Sequence, residues 1–360
     1  MRLIDVARSP IWLAELFTTA KSFQANPIIG SPALNRLGLH VARVRAAHAM
    51  SRWRSSMMGH LLSEPEKRQY REQGFLKIEN VLPADEFQRV REEIVGFDGD
   101  LRRMVQGDTY TFQGLLDEAT LGRMPATREL LTDRRLLNAV MYGGYAYKHP
   151  MFFAHCILNG AAEKPTGGDP QKDFHADTFH PTMKAWLFLD DITADIGPFQ
   201  YIPGSHRPTP ARLQWDHEHA VAGRDLANPY ARRGSFRVSA DELKARGFPD
   251  PVSFDVPANT LVMADTYGFH RRGDARPGTS RLAIYAYSRA NPFNPFPGVL
   301  PGLRARIEQW ATRMSLKAAD RAAAERNNRP TWHQVPASEL AAHANAAPAA
   351  PTGRNHRSAA

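Results

Sequence analysis

The sequence predicts a mainly β fold with flanking helices, of the sandwich or jelly-roll type, on three observations. First, the segments PMFFAHCILN (150–159), MKAWLFLD (183–190), FQYIP (199–203), VSFDV (252–256), TLVMAD (260–265) and SRLAIYAYS (280–288) are rich in β-branched and aromatic residues. That composition suits a pleated, half-buried surface. Second, turn residues separate these segments, and helices do not alternate with them as a parallel sheet would require. Third, helical patterns precede them, to about Val140, and follow them, from Leu303 to Asn327. At 360 residues, 42% hydrophobic and 23% charged, the chain can bury a sizeable core without covalent staples.

From the N-terminus, Ile11–Phe23 (IWLAELFTTAKSF) is amphipathic and aromatic, and NPIIGSP interrupts it. A second helical pattern, Leu34–Arg54, sets Leu37, Val41 and Val44 on one stripe and crowds Arg36, Arg43, Arg45, Arg52 and Arg54 over the rest. Such a helix either packs on the rest of the protein with a solvated basic side or lies on an anionic membrane; the first reading is preferred. Ser63 and Glu66 are spaced as a capping box, with Pro65 in the first turn and Gly74 as the stop. FLKIENVL alternates as a strand, and Pro83 then opens an amphipathic helix. The expected organisation is a basic helical region at 1–61, a β domain at 62–300, a C-terminal helix at 301–336 and a disordered tail at 337–360.

The net charge of +9 belongs to the ends. Residues 1–61 hold eight Lys/Arg against two Asp/Glu, and 300–360 hold nine against four, so the centre is nearly balanced. No zinc-finger or RNA-binding signature accompanies the basic ends, which disfavours nucleic acid. No apolar run approaches the ~20 residues of a spanning helix, and MRLIDVARSP lacks a signal core. The single cysteine, Cys156, excludes an internal disulfide and fits a reducing compartment. A cytoplasmic protein is expected, with peripheral contact to an anionic membrane through residues 1–61 as the open question.

The chemistry concentrates at Phe174-His175-Ala176-Asp177. In extended backbone, residues two apart point the same way, so His175 and Asp177 can address one ion. His270, between TLVMAD and SRLAIYAYS, is placed to supply a third ligand. Two imidazoles and one carboxylate on one face leave positions open, as in non-haem iron(II) oxygenases. A keto-acid cosubstrate would need a cationic fork for its distal carboxylate, and Arg281 follows His270 by 11 residues. A zinc hydrolase also uses two His and an Asp with an open site, but leaves Arg281 unexplained. A non-catalytic binding protein that keeps the fold is the third reading.

These residues resemble the phytanoyl-CoA dioxygenase family, which includes the ectoine hydroxylases. The family is similar in its His-x-Asp pair (His175, Asp177), its distal His (His270) and an Arg 11 residues on (Arg281). GPFQYIPGSHRP resembles its Gly-x-x-x-x-x-Pro-Gly-Ser-His turn, with Gly197, Pro203, Gly204, Ser205 and His206, and YREQGFLKIENVLPADEF resembles its first helix and strand. The resemblance spans roughly 66–290. It implies a cupin-like double-stranded β-helix at 62–300 and a dioxygenase that uses Fe(II), 2-oxoglutarate and O2 to hydroxylate a small or lipid-like molecule. It also implies cosubstrate contacts at His155 and Asn159, four apart on one face of PMFFAHCILN. Asp177 argues against halogenation, because halogenating relatives lack that carboxylate.

Other positions read more plainly. Trp186 is expected in the core, His206 in its turn, and His180, His217 and His219 on the surface. Tyr285 and Tyr287 share a side with Arg281 and either line the pocket or fill the core. The loops Ala161–Lys172 and Asp216–Ala240 are expected to select substrate, and the second, rich in Arg and His, suggests an anionic group.

Overall fold

The computed structural model describes residues 3–163, 165 and 167–344, with residues 3–8 in backbone only. Thirteen strands are present among them: β1 Phe75–Ile78, β2 Leu101–Gln106, β3 Thr109–Leu115, β4 Met151–Leu158, β5 Phe174–His175, β6 Met183–Phe188, β7 Phe199–Tyr201, β8 Arg237–Val238, β9 Val252–Ser253, β10 Thr260–Asp265, β11 His270–Arg272, β12 Ser280–Ser288 and β13 His333–Gln334. They form an eight-stranded sheet in the order β1-β10-β6-β12-β4-β3-β2-β13 and a five-stranded sheet in the order β8-β5-β11-β7-β9. Every pairing between them is antiparallel. This is the two-sheet jelly roll that the six apolar segments predict.

Alternation sorts the side chains of the large sheet. One face carries Ala154, Cys156, Leu158, Leu187, Leu282 and Ile284, which pack with Val90, Ile94, Leu130, Leu136 and Val140 of the flanking helices. The other face carries Phe153, Trp186, Phe188, Val262 and Tyr285, which meet Phe199, Tyr201 and Phe254 from the small sheet. The inner face is therefore the space between the sheets, and any ligand held there is walled by both. Trp186 sits in that interior, 4.6 Å from the Phe199 ring, as expected of a core residue.

The capping box forms as spaced: Ser63 N donates to Glu66 Oε2 at 2.9 Å, and Gly74 ends the Glu64–Gln73 helix at φ 86°. The second helical segment differs from expectation. It breaks at Gly38, φ 94°, into Pro32–Arg36 and Leu39–Met57, which leaves Leu37 exposed. Arg43 and Arg54, expected on the solvated side, are buried. Arg43 donates to the carbonyls of Leu16 (3.0 Å) and Ala20 (2.7 Å), and Arg54 to those of Tyr145 (2.7 Å) and Asn294. A guanidinium has donors enough to satisfy several carbonyls at once, so burial here ties the N-terminal segment and the 291–294 loop to the body. The Leu39–Met57 helix packs on the body through Val44 and Ala47.

Two further expectations are corrected. Residues 338–344, assigned to a disordered tail, form the helix Ser338–Ala344. Leu340 is fully buried in the outer core, and Arg103 pairs with Glu339 at 3.0 Å; residues 345–360 lie outside the described chain. The segment 216–240 is less a loop than a packed unit, because the helix Pro210–Val221 buries Trp215 and Asp216, and Pro229–Arg232 follows.

Candidate metal centre

The small sheet aligns the triad. β11 pairs with β5 so that His270 stands directly opposite His175, their ring centroids 4.4 Å apart. Asp177 follows two residues on, its backbone N–H held by Thr266 O at 2.9 Å. His175 Nε2 and His270 Nε2 lie 3.7 and 3.9 Å from Asp177 Oδ1, and one donor atom from each residue falls within 4.8 Å of the others.

The outer nitrogens fix which face each ring offers. His175 Nδ1 donates to Asp173 O (2.8 Å) and His270 Nδ1 to Gly268 O (2.9 Å). Each bond sets the tautomer, leaving a lone pair on Nε2 pointed inward. His270 Nε2 is buried with no hydrogen-bond partner. A buried polar atom without a partner is costly, and a cation among the three donors removes that cost. Burial holds His175 well below the usual imidazole range and brings His270 down to about 4, so both are neutral ligands at neutral pH. For Asp177 burial pushes upward, but Lys184, His270 and His175 outweigh it and hold the carboxyl ionised. The donor set fits a divalent transition metal.

The turn through Ser205 positions β11. Ser205 Oγ accepts the Phe269 N–H (2.8 Å) and donates to Ile202 O (2.7 Å), which fixes the backbone one residue before His270. His206 binds Arg71 O at 3.1 Å and serves the turn, as expected. Gly268 is required by close approach: a Cβ there would stand 1.9 Å from the Tyr201 hydroxyl.

Arg281, His155 and Asn159 all lie on the inner face of the large sheet, as their alternation predicts. Arg281 is buried and donates to Gly197 O at 2.7 Å; no acid pairs with it among the described residues. Burial, then Arg272, brings its guanidinium down to about 9. His155 Nε2 and Asn159 Oδ1 are also buried without partners. Asn159 otherwise braces the turn through Nδ2 to Thr279 O at 3.2 Å. Here the Arg281 guanidinium lies on the same inner face as the unpartnered His155 Nε2 and Asn159 Oδ1.

Sequence reasoning missed Lys184, Lys21, Arg237 and Gln113. Lys184 Nζ pairs with Asp177 Oδ2 at 2.7 Å, Lys21 Nζ donates to Asp177 O, and Arg237 bonds Ser235 O at 2.6 Å nearby. Gln113 Nε2 meets His155 Nδ1 at 3.3 Å. The signal for Lys184 was present: it alternates with Trp186 and Phe188 on the inward side of its strand. His180, expected at the surface, is buried against Phe179, with burial bringing it down to about 3.

A cavity of about 560 Å³ opens beside this interior. Gln113, Leu115, Phe153 and Tyr287 form its sheet wall, and Arg313, Leu316 and Lys317 of the helix Pro301–Glu325 face them. Tyr287 therefore lines a pocket, and its cross-strand partner is Lys184.

A facial two-His, one-carboxylate centre between the sheets of a jelly roll is the ligand set of the non-haem metal oxygenases. The sequence matches the family model for phytanoyl-CoA dioxygenase (PhyH) over residues 70–240, so this segment is similar to the phytanoyl-CoA dioxygenase-like proteins. The matched segment contains His175 and Asp177; the pairing of β5 with β11 brings in His270 from beyond it. No curated protein matches the chain. Similar solved structures include the epimerase SnoN in complex with Fe3+, alpha ketoglutarate and nogalamycin RO (19% identity, 68% of this chain, 91% of that one, TM-score 0.43). The alpha ketoglutarate-dependent carbocyclase SnoK (21%, 64% and 85%, 0.41) is another. HygX from Streptomyces hygroscopicus, with nickel and 2-oxoglutarate bound, is a third (18%, 64% and 88%, 0.38).

Proposed function

We propose that this chain is an Fe(II)/2-oxoglutarate-dependent dioxygenase that hydroxylates a C–H bond of a small or lipid-like molecule. The observation that carries the reading is the inward convergence of His175 Nε2, His270 Nε2 and Asp177 Oδ1. When bound, iron with 2-oxoglutarate and O2 supplies the oxidant for hydroxylation, with succinate and CO2 as co-products. His175, Asp177 and His270 would hold the metal, each through one donor atom. Lys184 occupies Asp177 Oδ2, which leaves Oδ1 to the metal. Arg281 binds the distal carboxylate of 2-oxoglutarate, with His155 and Asn159 as its polar neighbours. The aromatic walls, Phe153, Trp186 and Tyr285, exclude water from the reacting centre. Substrate enters by the cavity at Phe153 and Tyr287.

His175→Ala or Asp177→Ala is expected to abolish ferrous iron binding and succinate release. Arg281→Ala is expected to raise the 2-oxoglutarate concentration needed by more than about tenfold, the cost of losing a charge-assisted hydrogen bond, while iron affinity changes little. Both are read by succinate release and by the charge-transfer absorbance of iron and 2-oxoglutarate under nitrogen. Activity supported by zinc without succinate release would replace this reading with the hydrolase.

A further inference from the structure

The helix Pro301–Glu325 has two different sides, and only one is used by the catalytic body. Its inner side lines the cavity and is pinned by charge: Lys148–Glu308 at 2.8 Å, Arg102–Asp320 at 2.9 Å, and Arg313–Asp117. Its outer side carries Leu303, Ile307, Trp310 and Met314, spaced by four, three and four residues, so they form one stripe. They are 53, 58, 64 and 39% exposed. The loop leading into the helix adds Phe296, Val299 and Leu300, each at least 63% exposed. Single exposed apolar residues need no explanation, but seven on one connected element do.

The distribution of charge selects the occupant. Two of the helix's three acids, Glu308 and Asp320, are turned inward and paired. Arg306, Lys317 and Arg321, together with Arg326 and Arg329 just beyond, are exposed or at the rim, opposed on that side by Glu325 alone. A second copy of the same face would set cation against cation. An anionic bilayer surface complements both features, taking the apolar stripe into the acyl boundary and the basic flank against the headgroups. Trp310 is the side chain suited to that boundary. No described helix is long and apolar enough to cross a membrane, which fits a helix lying in the interface plane.

We propose that the helix Pro301–Glu325 and its entry loop 296–300 form a docking surface for anionic lipid, which sets the mouth of the substrate cavity against the bilayer. The same helix serves both purposes: residues on its inner side wall the cavity, while Ile307 and Trp310 on the outer side enter the lipid. Membrane contact then falls to the C-terminal basic region; in the Leu39–Met57 helix Arg43 and Arg54 are spent on backbone carbonyls, whereas Arg45 and Arg52 stay exposed.

The test is vesicle flotation of the full chain. Vesicles of phosphatidylcholine alone are compared with vesicles in which about three-tenths is phosphatidylserine, at low and high salt. The protein is expected to float with the anionic vesicles, less at high salt, and poorly with phosphatidylcholine. The double variant I307E/W310E is expected to reduce the bound fraction at least about tenfold while keeping its circular dichroism spectrum and its iron and 2-oxoglutarate binding. That last readout separates failure here from failure of the catalytic assignment. Equal flotation of variant and parent, or no binding to anionic vesicles, overturns the proposal. So does a dimer by light scattering that the same double variant converts to monomer, which would assign the stripe to self-association.

Discussion

The proposed ligand role of His175 and His270 rests on what their outer nitrogens do together with the convergence of their inner ones on Asp177. Each Nδ1 is committed to a backbone carbonyl two residues before its own, Asp173 O and Gly268 O. The same constraint reaches Asp265, which lies behind the centre and receives hydrogen bonds from Tyr145 Oη and the Tyr267 N–H, both at 3.0 Å. Burial pushes its carboxyl up to about 7 in spite of those bonds. The unfolded chain would ionise the same group near pH 4. The folded state thus binds this proton more tightly, so the associated stability is fully present below about pH 4 and is lost as pH rises through about 7. Asp265→Asn keeps an acceptor and removes the titration. Chemical denaturation is expected to show the variant gaining on the parent between pH 5 and pH 8, by up to a few kcal/mol at about 1.4 kcal/mol per pH unit. A difference that stays constant across that range would mean that Asp265 is ionised throughout.

The elements that carry the site were legible in the sequence where local rules decide, and illegible where distant contacts do. The His-x-Asp pair, the distal His and the Arg on the next strand could be read because strand alternation dictates which side chains share a face. The inward lysine of MKAWLFLD obeyed the same rule but was passed over, since its role depends on Asp177 from another sheet. Arg43 and Arg54 were misread because helical periodicity shows which residues share a side. It does not show that backbone carbonyls from 16–20 and 292–294 will come to meet them. The C-terminal segment failed for a related reason. Its Ala-rich composition reads as tail, yet Leu340 finds a slot in the outer core beside β4 and β12, and Ser280 Oγ donates to His343 O at 2.8 Å. Leu340→Ala is expected to cost about 2–4 kcal/mol by leaving that slot empty, read by denaturant unfolding. A change within about 0.5 kcal/mol would show that the helix Ser338–Ala344 is not docked in solution.

For the whole molecule, the proposed function asks the two sheets to contribute different halves of one site. His175 and His270 come from β5 and β11 of the small sheet, whereas Arg281 and His155 project from β12 and β4 of the large one. A metal held by the triad engages only the small sheet and the turn after it. A cosubstrate that chelates that metal and reaches Arg281 spans both sheets, so its binding energy opposes their separation directly. Linkage then predicts two increments in thermal stability under anaerobic conditions. Ferrous iron alone gives the first, and 2-oxoglutarate added to the iron form gives the second, each about 2.7 kcal/mol at a hundredfold excess over its dissociation constant. Arg281→Ala is expected to keep the first increment and lose most of the second, while Asp177→Ala loses both. Scanning calorimetry distinguishes these outcomes. If 2-oxoglutarate stabilised the parent and Arg281→Ala equally, its distal carboxylate would not reach β12, and the site would have to be completed from within the small sheet.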